Sequence, residues 1–422
     1  MRSLLVLLLI LLFFVPVWGQ ENSLFFGEVK FEGLKKNKES YLRRFLSIGE
    51  GEPFDFNKVR ESEQRLKNLF GITHIQLSLD TIGAGINTTL HIEEAFTVFP
   101  EINFGRITGN YWYRIGAKDI NWLGRGMHLS GYYQNIDSRH NFNLFLRVPY
   151  INGSKFGGAV SLTKYASVEP LYFDQGAVIY LYDNNSFALS GIYEINYGHE
   201  VEFGGAYFIE SYQKALDQSL ENPPGPDDFK QPKLLLKARH VLNKVNYFYF
   251  YQWGFDNQTN LETVYNIDDQ NYFFLFLNDT RFYKRVGNRG NLALRFRIGL
   301  STNRNTPFAP FVVSSHVNIR GVGNRINRGT GSLVLNAEYR HTIFDKGNFA
   351  GQVVAFSDAG TWRRPGGGLN DFVDPNIFRH FVGGGVRIIY KKAFNAIIRA
   401  DYGIDLYNSE MQGLVIGFGQ YF

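Results

Sequence analysis

The strongest constraint on the fold is a series of segments, running from Phe96 to Phe422, in which apolar and polar residues alternate. Two consecutive segments carry opposite charges at alternate positions: Glu200, Glu202 and Glu210, then Lys233, Lys237 and Arg239. Because side chains alternate faces along a strand, each segment has one apolar and one charged face, and neighbouring strands can pair opposite charges. A membrane barrel with a charged interior fits this alternation, and so does a soluble β-sandwich with its faces reversed.

Features elsewhere in the chain favour the membrane barrel. One basic residue, twelve apolar residues from Leu4 to Val15 and a small residue at Gly19 predict a signal peptide over residues 1–19. No later apolar run reaches the roughly 18 residues that a membrane-spanning helix requires. Aromatic residues make up 16% of the chain, which is typical of strands with one face in lipid. We therefore predict a mainly β protein, a transmembrane antiparallel β-barrel over residues 96–422.

The number of wall strands follows from a parity argument. Seventeen candidate strands are found after residue 96, but a barrel whose first and last strands both meet the periplasmic side needs an even number. Long polar segments near 212–230, 257–271, 301–331 and 361–377 are expected to face outward. This arrangement places the candidate strand 172–182 in the third outer loop and leaves sixteen strands in the wall.

Residues 24–95 predict a separate small α+β domain. A strand at 25–31 is followed by helices near 39–46 and 57–70 and by two strands over 72–92, which gives the order β-α-α-β-β. About seventy residues can fold alone. The order and the Gly punctuation, Ser47-Ile48-Gly49-Glu50-Gly51 and Leu69-Phe70-Gly71-Ile72, resemble a POTRA domain. Its open sheet edge is a possible docking edge for an extended client chain, and a plain spacer is the alternative.

The segment 301–331 is too long for an ordinary connection and carries Arg320-Gly321. Downstream, Asp358 lies in a strand end bounded by Gly360. An Arg-Gly pair alone is usually a solvated turn. We nevertheless expect this sixth outer loop to fold into the polar lumen, where Arg320 pairs with Asp358.

The last predicted strand, 412–422, must meet the first strand to close the barrel. Its apolar residues point one way: Leu414, Ile416, Phe418 and Phe422. Gly417 and Gly419 reduce the packing available at this seam. An open seam would expose unpaired backbone to lipid unless a client strand filled it. The alternative is that the two glycines simply make room for the lumen loop.

Three motifs resemble those of the superfamily of BamA, TamA and the two-partner secretion transporters. Asn121-Trp122-Leu123-Gly124 resembles the first inner turn of BamA-type barrels. Ile319-Arg320-Gly321-Val322 resembles the Val-Arg-Gly-aromatic signature of the sixth outer loop. Phe356-x-Asp358-x-Gly360 resembles the signature on the strand that receives this arginine. With the single POTRA-like domain, the resemblance covers nearly the whole chain after the signal peptide.

By this resemblance the protein is a Gram-negative bacterial surface antigen of the BamA-like kind, acting in protein insertion or translocation. The barrel would lie in the outer membrane and the POTRA domain in the periplasm. Implied partners are lipid and lipopolysaccharide, accessory assembly subunits, and an unfolded or secreted client protein that meets the POTRA edge strand and the barrel seam. No basic run indicates nucleic acid. We expect no cofactor and no metal site.

Three departures qualify the resemblance. Val322 stands where the family has an aromatic residue, so stacking at the loop tip is expected to be missing. A single POTRA domain favours an accessory or dedicated member over a central insertase. Gln420 interrupts the terminal aromatic pattern.

The sequence also bears on two other function classes. A passive solute or ion pore remains the alternative to protein insertion. A barrel hydrolase is disfavoured because the sequence has no Gly-x-Ser-x-Gly, no His-Glu-x-x-His and no clustered histidines. With no cysteine in the chain, a lipid-anchored lipoprotein, disulfide bonds and thiol chemistry are excluded.

Overall fold

The computed structural model describes residues 24–107, 110–136, 139–215, 223–248, 250–303, 309–315, 317–323, 327–393 and 396–422. The predicted signal peptide lies outside these ranges. Among the described residues, no helix is long and apolar enough to cross a membrane.

The N-terminal domain has the predicted β-α-α-β-β order. Its elements are β1 (Phe25–Glu32), α1 (Glu39–Leu42) with a following 3-10 turn (Arg43–Phe45), α2 (Phe56–Lys67), β2 (Ile72–Ile82) and β3 (Gly85–Glu94). The central strand is β3, which pairs in parallel with β1 and antiparallel with β2. Both outer strands are therefore sheet edges.

An apolar core holds this domain together. Val59 and Leu66 lie on one side of α2, where they are buried and pack in one cluster with Leu42 and Leu90. Burying a side chain of this size contributes about 1.5–3 kcal/mol. The helix begins where Asp55 accepts a hydrogen bond from the backbone N–H of residue 57, at 2.8 Å.

The second part of the chain is a closed antiparallel barrel. Its long strands are β4 (Val98–Ile107), β5 (Asn110–Trp122), β6 (Met127–Ile136), β7 (Arg139–Val148), β8 (Phe156–Phe173), β9 (Gly176–Asn196), β10 (His199–Lys214), β11 (Asp228–Asn243), β13 (Tyr251–Asn266), β14 (Asn271–Val286), β15 (Gly290–Ser301), β18 (Gly331–Lys346), β19 (Phe349–Arg363), β20 (Arg379–Tyr390), β21 (Ile397–Asp405) and β22 (Gln412–Phe418). Three short strands complete the count: β12 (Asn246–Phe248), β16 (Phe311–Val313) and β17 (Asn327–Gly329).

Sixteen strands form the wall. The barrel sheet has seventeen, but β12 pairs only with the first three residues of β13, whereas β11 and β13 pair directly from Lys233 to Asn243. Neighbours along the chain are neighbours in the ring, and β22 lies beside β4 where the ring closes. The shortest wall strand, β22, is thus at the seam.

Two segments predicted as outer loops are strands. The segment 172–182 belongs to β8 and β9, which leaves only Asp174 and Gln175 as the third outer turn. The segment 257–271 is mostly β13. The polar composition of β13 was misleading, because its side chains bond across strands: the Asn257 amide donates to the Thr280 hydroxyl at 2.7 Å. A strand that continues past the membrane needs no apolar face.

The exposure of the side chains decides between barrel and sandwich. On β10, Phe203 is 65% exposed and the adjacent Glu202 is 4% exposed. Glu202 faces inward, where Lys237 of β11 donates to it at 2.8 Å. Glu210 and Lys233 form a second buried pair between the same strands. An exposed apolar face around a charged interior identifies a transmembrane β-barrel, as predicted.

Candidate functional site

The sixth outer loop connects β15 with β18 and folds back into the barrel. Its short strands β16 and β17 pair with each other. The described tip, 317–323, reaches the inner face of the wall, where Ile319 and Val322 are buried in a small apolar cluster with Trp362 and Phe381. The predicted lumen-directed course therefore agrees with the described part of 301–331.

Arg320 lies at the centre of a buried charge network. It is 0% exposed and forms a two-pronged pair with Asp358 of β19, with Nε at 2.8 Å from Oδ2 and Nη2 at 3.0 Å from Oδ1. The backbone N–H of Arg320 donates to the same carboxylate at 3.0 Å. Glu338 of β18 accepts from the third guanidinium nitrogen. The structure thus brings Arg320 and Asp358 together, and Glu338 is an acceptor that the sequence did not single out.

The network extends to the neighbouring strands. Arg340 and Arg387 both pair with Glu338, and Arg387 donates to Asp401 at 2.7 Å. Arg399 donates to the other oxygen of Asp401 at 2.9 Å. Glu338, Arg340, Arg399 and Asp401 all occupy polar positions of alternating segments, but alternation alone does not show that they meet the loop arginine.

Two aromatic rings enclose the Arg320 guanidinium. Its central carbon lies 3.7 Å from the ring centre of Phe356 and 4.4 Å from that of Tyr421. The expectation that stacking is missing, drawn from Val322, is therefore wrong. The wall and the C-terminal tail supply the rings, and desolvated cation–π contacts of this kind are worth about 2 kcal/mol or more.

Glycine is required where the loop packs against the inner face of the wall. Gly321 has a φ of +92°, and a Cβ there would lie 2.7 Å from the carbonyl oxygen of Gly403 on β21. A Cβ at Gly413 on β22 would approach the Gly321 carbonyl oxygen to 2.9 Å. The loop backbone thus rests directly on the last two strands. Gly360 instead makes room for the Ile319 side chain, which would lie 2.9 Å from a Cβ there.

The C-terminal tail does not continue the last strand. β22 ends at Phe418, and Gly419, with a φ of +78°, turns the chain into the lumen. Phe422 was predicted to point outward with Phe418, but it is buried, and its carbonyl oxygen accepts from Arg340 at 2.9 Å. Alternation misplaced it because the strand ends four residues early. Gly417 makes room for the Arg399 guanidinium rather than for the loop.

The first inner turn is a contact site for the POTRA-like domain. The buried Asn121 amide donates to the Asn37 side chain at 2.8 Å, and the Gly124 carbonyl accepts from the backbone N–H of Lys38 at 2.9 Å. A Cβ at Gly124 would collide with the Lys36 carbonyl. Trp122 closes the turn by pairing with Met127, and Leu123 is exposed.

A carboxylate shapes the domain loop that meets this turn. Glu94 accepts from the backbone N–H groups of residues 35, 36 and 37 at 2.8–3.0 Å. Burial disfavours its charged form, but these donors outweigh burial and lower the pKa of Glu94 below its usual value. Beside it, the Lys36 ammonium group donates to Asp119 of β5 at 2.7 Å.

Further inner turns extend the contact. Arg44 stacks on the Tyr150 ring at 3.8 Å and pairs with Glu194 at 3.1 Å. Burial raises the pKa of the Tyr150 hydroxyl, which donates to the same Glu194. Just after α2, the Asn68 amide donates to the Tyr197 hydroxyl at 2.9 Å. The domain is therefore docked across the inner mouth of the barrel.

A cleft of about 1130 Å³ lies between the domain and the seam. Phe70 and Gly71 line it from the domain, Phe99 and Ile102 line it from β4, and Phe418 lines it from β22. Neither the cleft nor the docking is visible in the sequence, because both depend on contacts between distant segments. The described residues contain no group of three or more acidic or histidine side chains placed to bind a metal ion.

The structure defines a class: a transmembrane β-barrel of sixteen wall strands with a docked POTRA-type domain and an arginine-anchored lumen loop. The profile of the POTRA family, "Surface antigen variable number repeat", matches residues 25–71.

Solved structures share the fold over most of this chain. BamA from Haemophilus ducreyi lacking POTRA domains 1-3 is 16% identical over 93% of this chain and 83% of its own, with a TM-score of 0.54. CdiB from Escherichia coli is 14% identical over 93% and 75%, with a TM-score of 0.57. CdiB from Acinetobacter baumannii is 13% identical over 94% and 74%, at 0.56. The resemblance predicted from the motifs is thus confirmed at the level of the fold.

Proposed function

We propose that this protein resides in the outer membrane, with its POTRA domain in the periplasm, and takes part in the insertion, assembly or translocation of proteins there. The fold shared with BamA and CdiB supports this assignment. The motif residues would act mechanically: Arg320 and Asp358 seat the loop, and the turn at 121–124 orients the POTRA domain.

The cleft beside the seam carries the proposal. It connects the POTRA surface at Phe70 with the first barrel strand at Ile102 and the last at Phe418. A client segment that left the POTRA domain through this cleft would arrive at the shortest strand of the wall. Backbone pairing with that strand would satisfy the hydrogen-bonding groups of the client in lipid.

Other partners follow from the same geometry. The POTRA strand β2 lies at an edge of its three-stranded sheet, where an extended client chain would add by backbone pairing. The exposed apolar belt would contact lipid and lipopolysaccharide, and accessory assembly subunits would bind on the periplasmic side.

A passive solute pore is the second candidate. The mixed-charge interior favours it, since such a lining can select ions. Against it, the loop residues Ile319, Arg320 and Val322 lie buried in the lumen. The POTRA domain also covers the inner mouth through Asn121 and Arg44.

Photo-crosslinking tests the proposal. A photoreactive amino acid replaces Phe418, which is 80% exposed at the seam, or Leu236, which is 68% exposed on the opposite wall. We expect newly exported proteins to cross-link at position 418 and not at 236. Equal or absent cross-linking at both positions would refute a seam-based role.

Conductance separates the two candidates. In planar bilayers the purified protein should show only small, infrequent openings. A steady large conductance would establish the pore if depletion of this protein from cells also left the abundance of other outer-membrane and surface proteins unchanged.

A further inference from the structure

The tail after the last wall strand is held by the lumen network. Besides its stacking on Arg320, the Tyr421 ring lies 4.9 Å from the Arg399 guanidinium, and its hydroxyl donates to the Ser315 carbonyl of the loop at 3.0 Å. Gln420 accepts from Arg387 at 3.3 Å. Each tail residue from 420 to 422 thus contacts a buried lumen group.

The position of Tyr421 connects two parts that are otherwise separate in sequence. Its side chain touches the loop at two points, through the ring and through the hydroxyl. Its backbone follows β22 by only three residues, through the turn at Gly419. A movement of β22 away from the wall would therefore pull the ring off Arg320, and release of the loop would free the ring.

We propose that Tyr421 is a positioning residue for Arg320, and that through it the seating of the lumen loop and the position of the seam strand are energetically coupled. The coupling is a property of the protein alone and requires no client, so it goes beyond the proposed function. Because coupling free energies between two sites are reciprocal, loosening either side must loosen the other.

Cysteine labelling measures both directions, since the chain has no native cysteine. Val322→Cys reports on the loop and Phe422→Cys on the tail; both positions are buried. The protein is folded in lipid vesicles and treated with a water-soluble maleimide, and Ser409→Cys, at an exposed position, gives the unprotected rate.

Tyr421→Leu should raise the labelling rate of Val322→Cys by roughly tenfold or more, the factor that 1.4 kcal/mol represents. Arg320→Lys should raise the labelling rate of Phe422→Cys by a similar factor, because an ammonium group cannot replace the flat guanidinium between two rings. Tyr180→Leu is the matched control: it removes a buried tyrosine whose hydroxyl also donates to a carbonyl, in a separate cluster. It should leave both rates unchanged.

Tyr421→Phe keeps the ring and loses only the hydrogen bond of the hydroxyl. In this variant Val322→Cys should therefore be labelled much more slowly than in Tyr421→Leu. Equal labelling of these two variants would overturn the ring-based role. Unchanged rates in both directions, or a change in one direction only, would overturn the coupling. If Tyr421→Leu fails to fold, the Arg320→Lys measurement decides alone.

Discussion

Replacing Arg320 by alanine should release the lumen loop while the barrel still forms. The side chain gives Asp358 two of its donors, and among the side chains that the structure describes only the Asn336 amide, at 2.8 Å, would remain. Glu338 keeps Arg340 and Arg387. The stranded group is therefore Asp358, and breaking a buried pair in this way costs about 3–5 kcal/mol.

This free-energy cost predicts how far the balance between the seated and the released loop shifts. At 1.4 kcal/mol per factor of ten, a cost of 3 kcal/mol shifts the seated-to-released ratio by more than about a hundredfold. Limited proteolysis of the loop, in barrels folded into lipid vesicles, measures this ratio. Activity in the photo-crosslinking assay should fall with it.

A double-mutant cycle tests the charge argument itself. The network holds four arginines (320, 340, 387 and 399) and three carboxylates (338, 358 and 401). Asp358→Asn leaves four cations against two carboxylates, whereas the double variant Arg320→Ala/Asp358→Asn leaves three against two. We expect the double variant to be protected better than the sum of the single effects predicts, by about 1–3 kcal/mol. Additive effects, or wild-type protease resistance of Arg320→Ala, would refute the reasoning.

Three further predictions concern the docked domain. Gly124→Ala should detach the domain from the first inner turn, seen as faster hydrogen exchange at residues 36–38. The control Gly153→Ala should not, because Gly153 has a similar positive φ but open space where the Cβ would lie. The backbone amides of residues 35–37 should lose protection from hydrogen exchange as the pH falls below about 4.5, because a carboxyl with a lowered pKa stabilises only while it is ionised. In Glu94→Gln these amides should exchange faster already at pH 7, without that pH dependence. Unchanged exchange in this variant would contradict the role of Glu94. Arg44→Lys should loosen the docked domain nearly as much as Arg44→Met, since only a guanidinium stacks flat on the Tyr150 ring. Fluorescence measures the distance between domain and barrel in both variants. A clear difference between the two variants would count against stacking.

The sequence predicted the wall well because alternation reports which side chains share a face. The opposite charges of Glu202 and Lys237 identified inward positions, and these side chains do pair across strands. Parity gave the correct sixteen wall strands. Alternation does not report where a strand leaves the membrane, so the extensions of β8, β9 and β13 were taken for loops.

The predicted part of the candidate site was the part with a local motif. Arg320 and Asp358 stood out beside glycines in recognisable patterns. The other contributors come from segments without such a pattern: Glu338 lies mid-strand, Tyr421 follows a turn at Gly419, and Asn37 is in a domain loop. Their roles arise from closing the ring and docking the domain, which no single stretch of sequence encodes.

The length of β9 determines how far the third outer turn extends beyond the membrane. Its 21 residues extend for about 70 Å, whereas about 10 residues suffice to cross the bilayer. The turn at Asp174 and Gln175 therefore lies at the end of a paired β-ribbon, well beyond the lipid. Given the outer-membrane location proposed above, a peptide tag inserted at this turn would be accessible to antibodies on intact cells, and they could count the protein without disturbing the lumen.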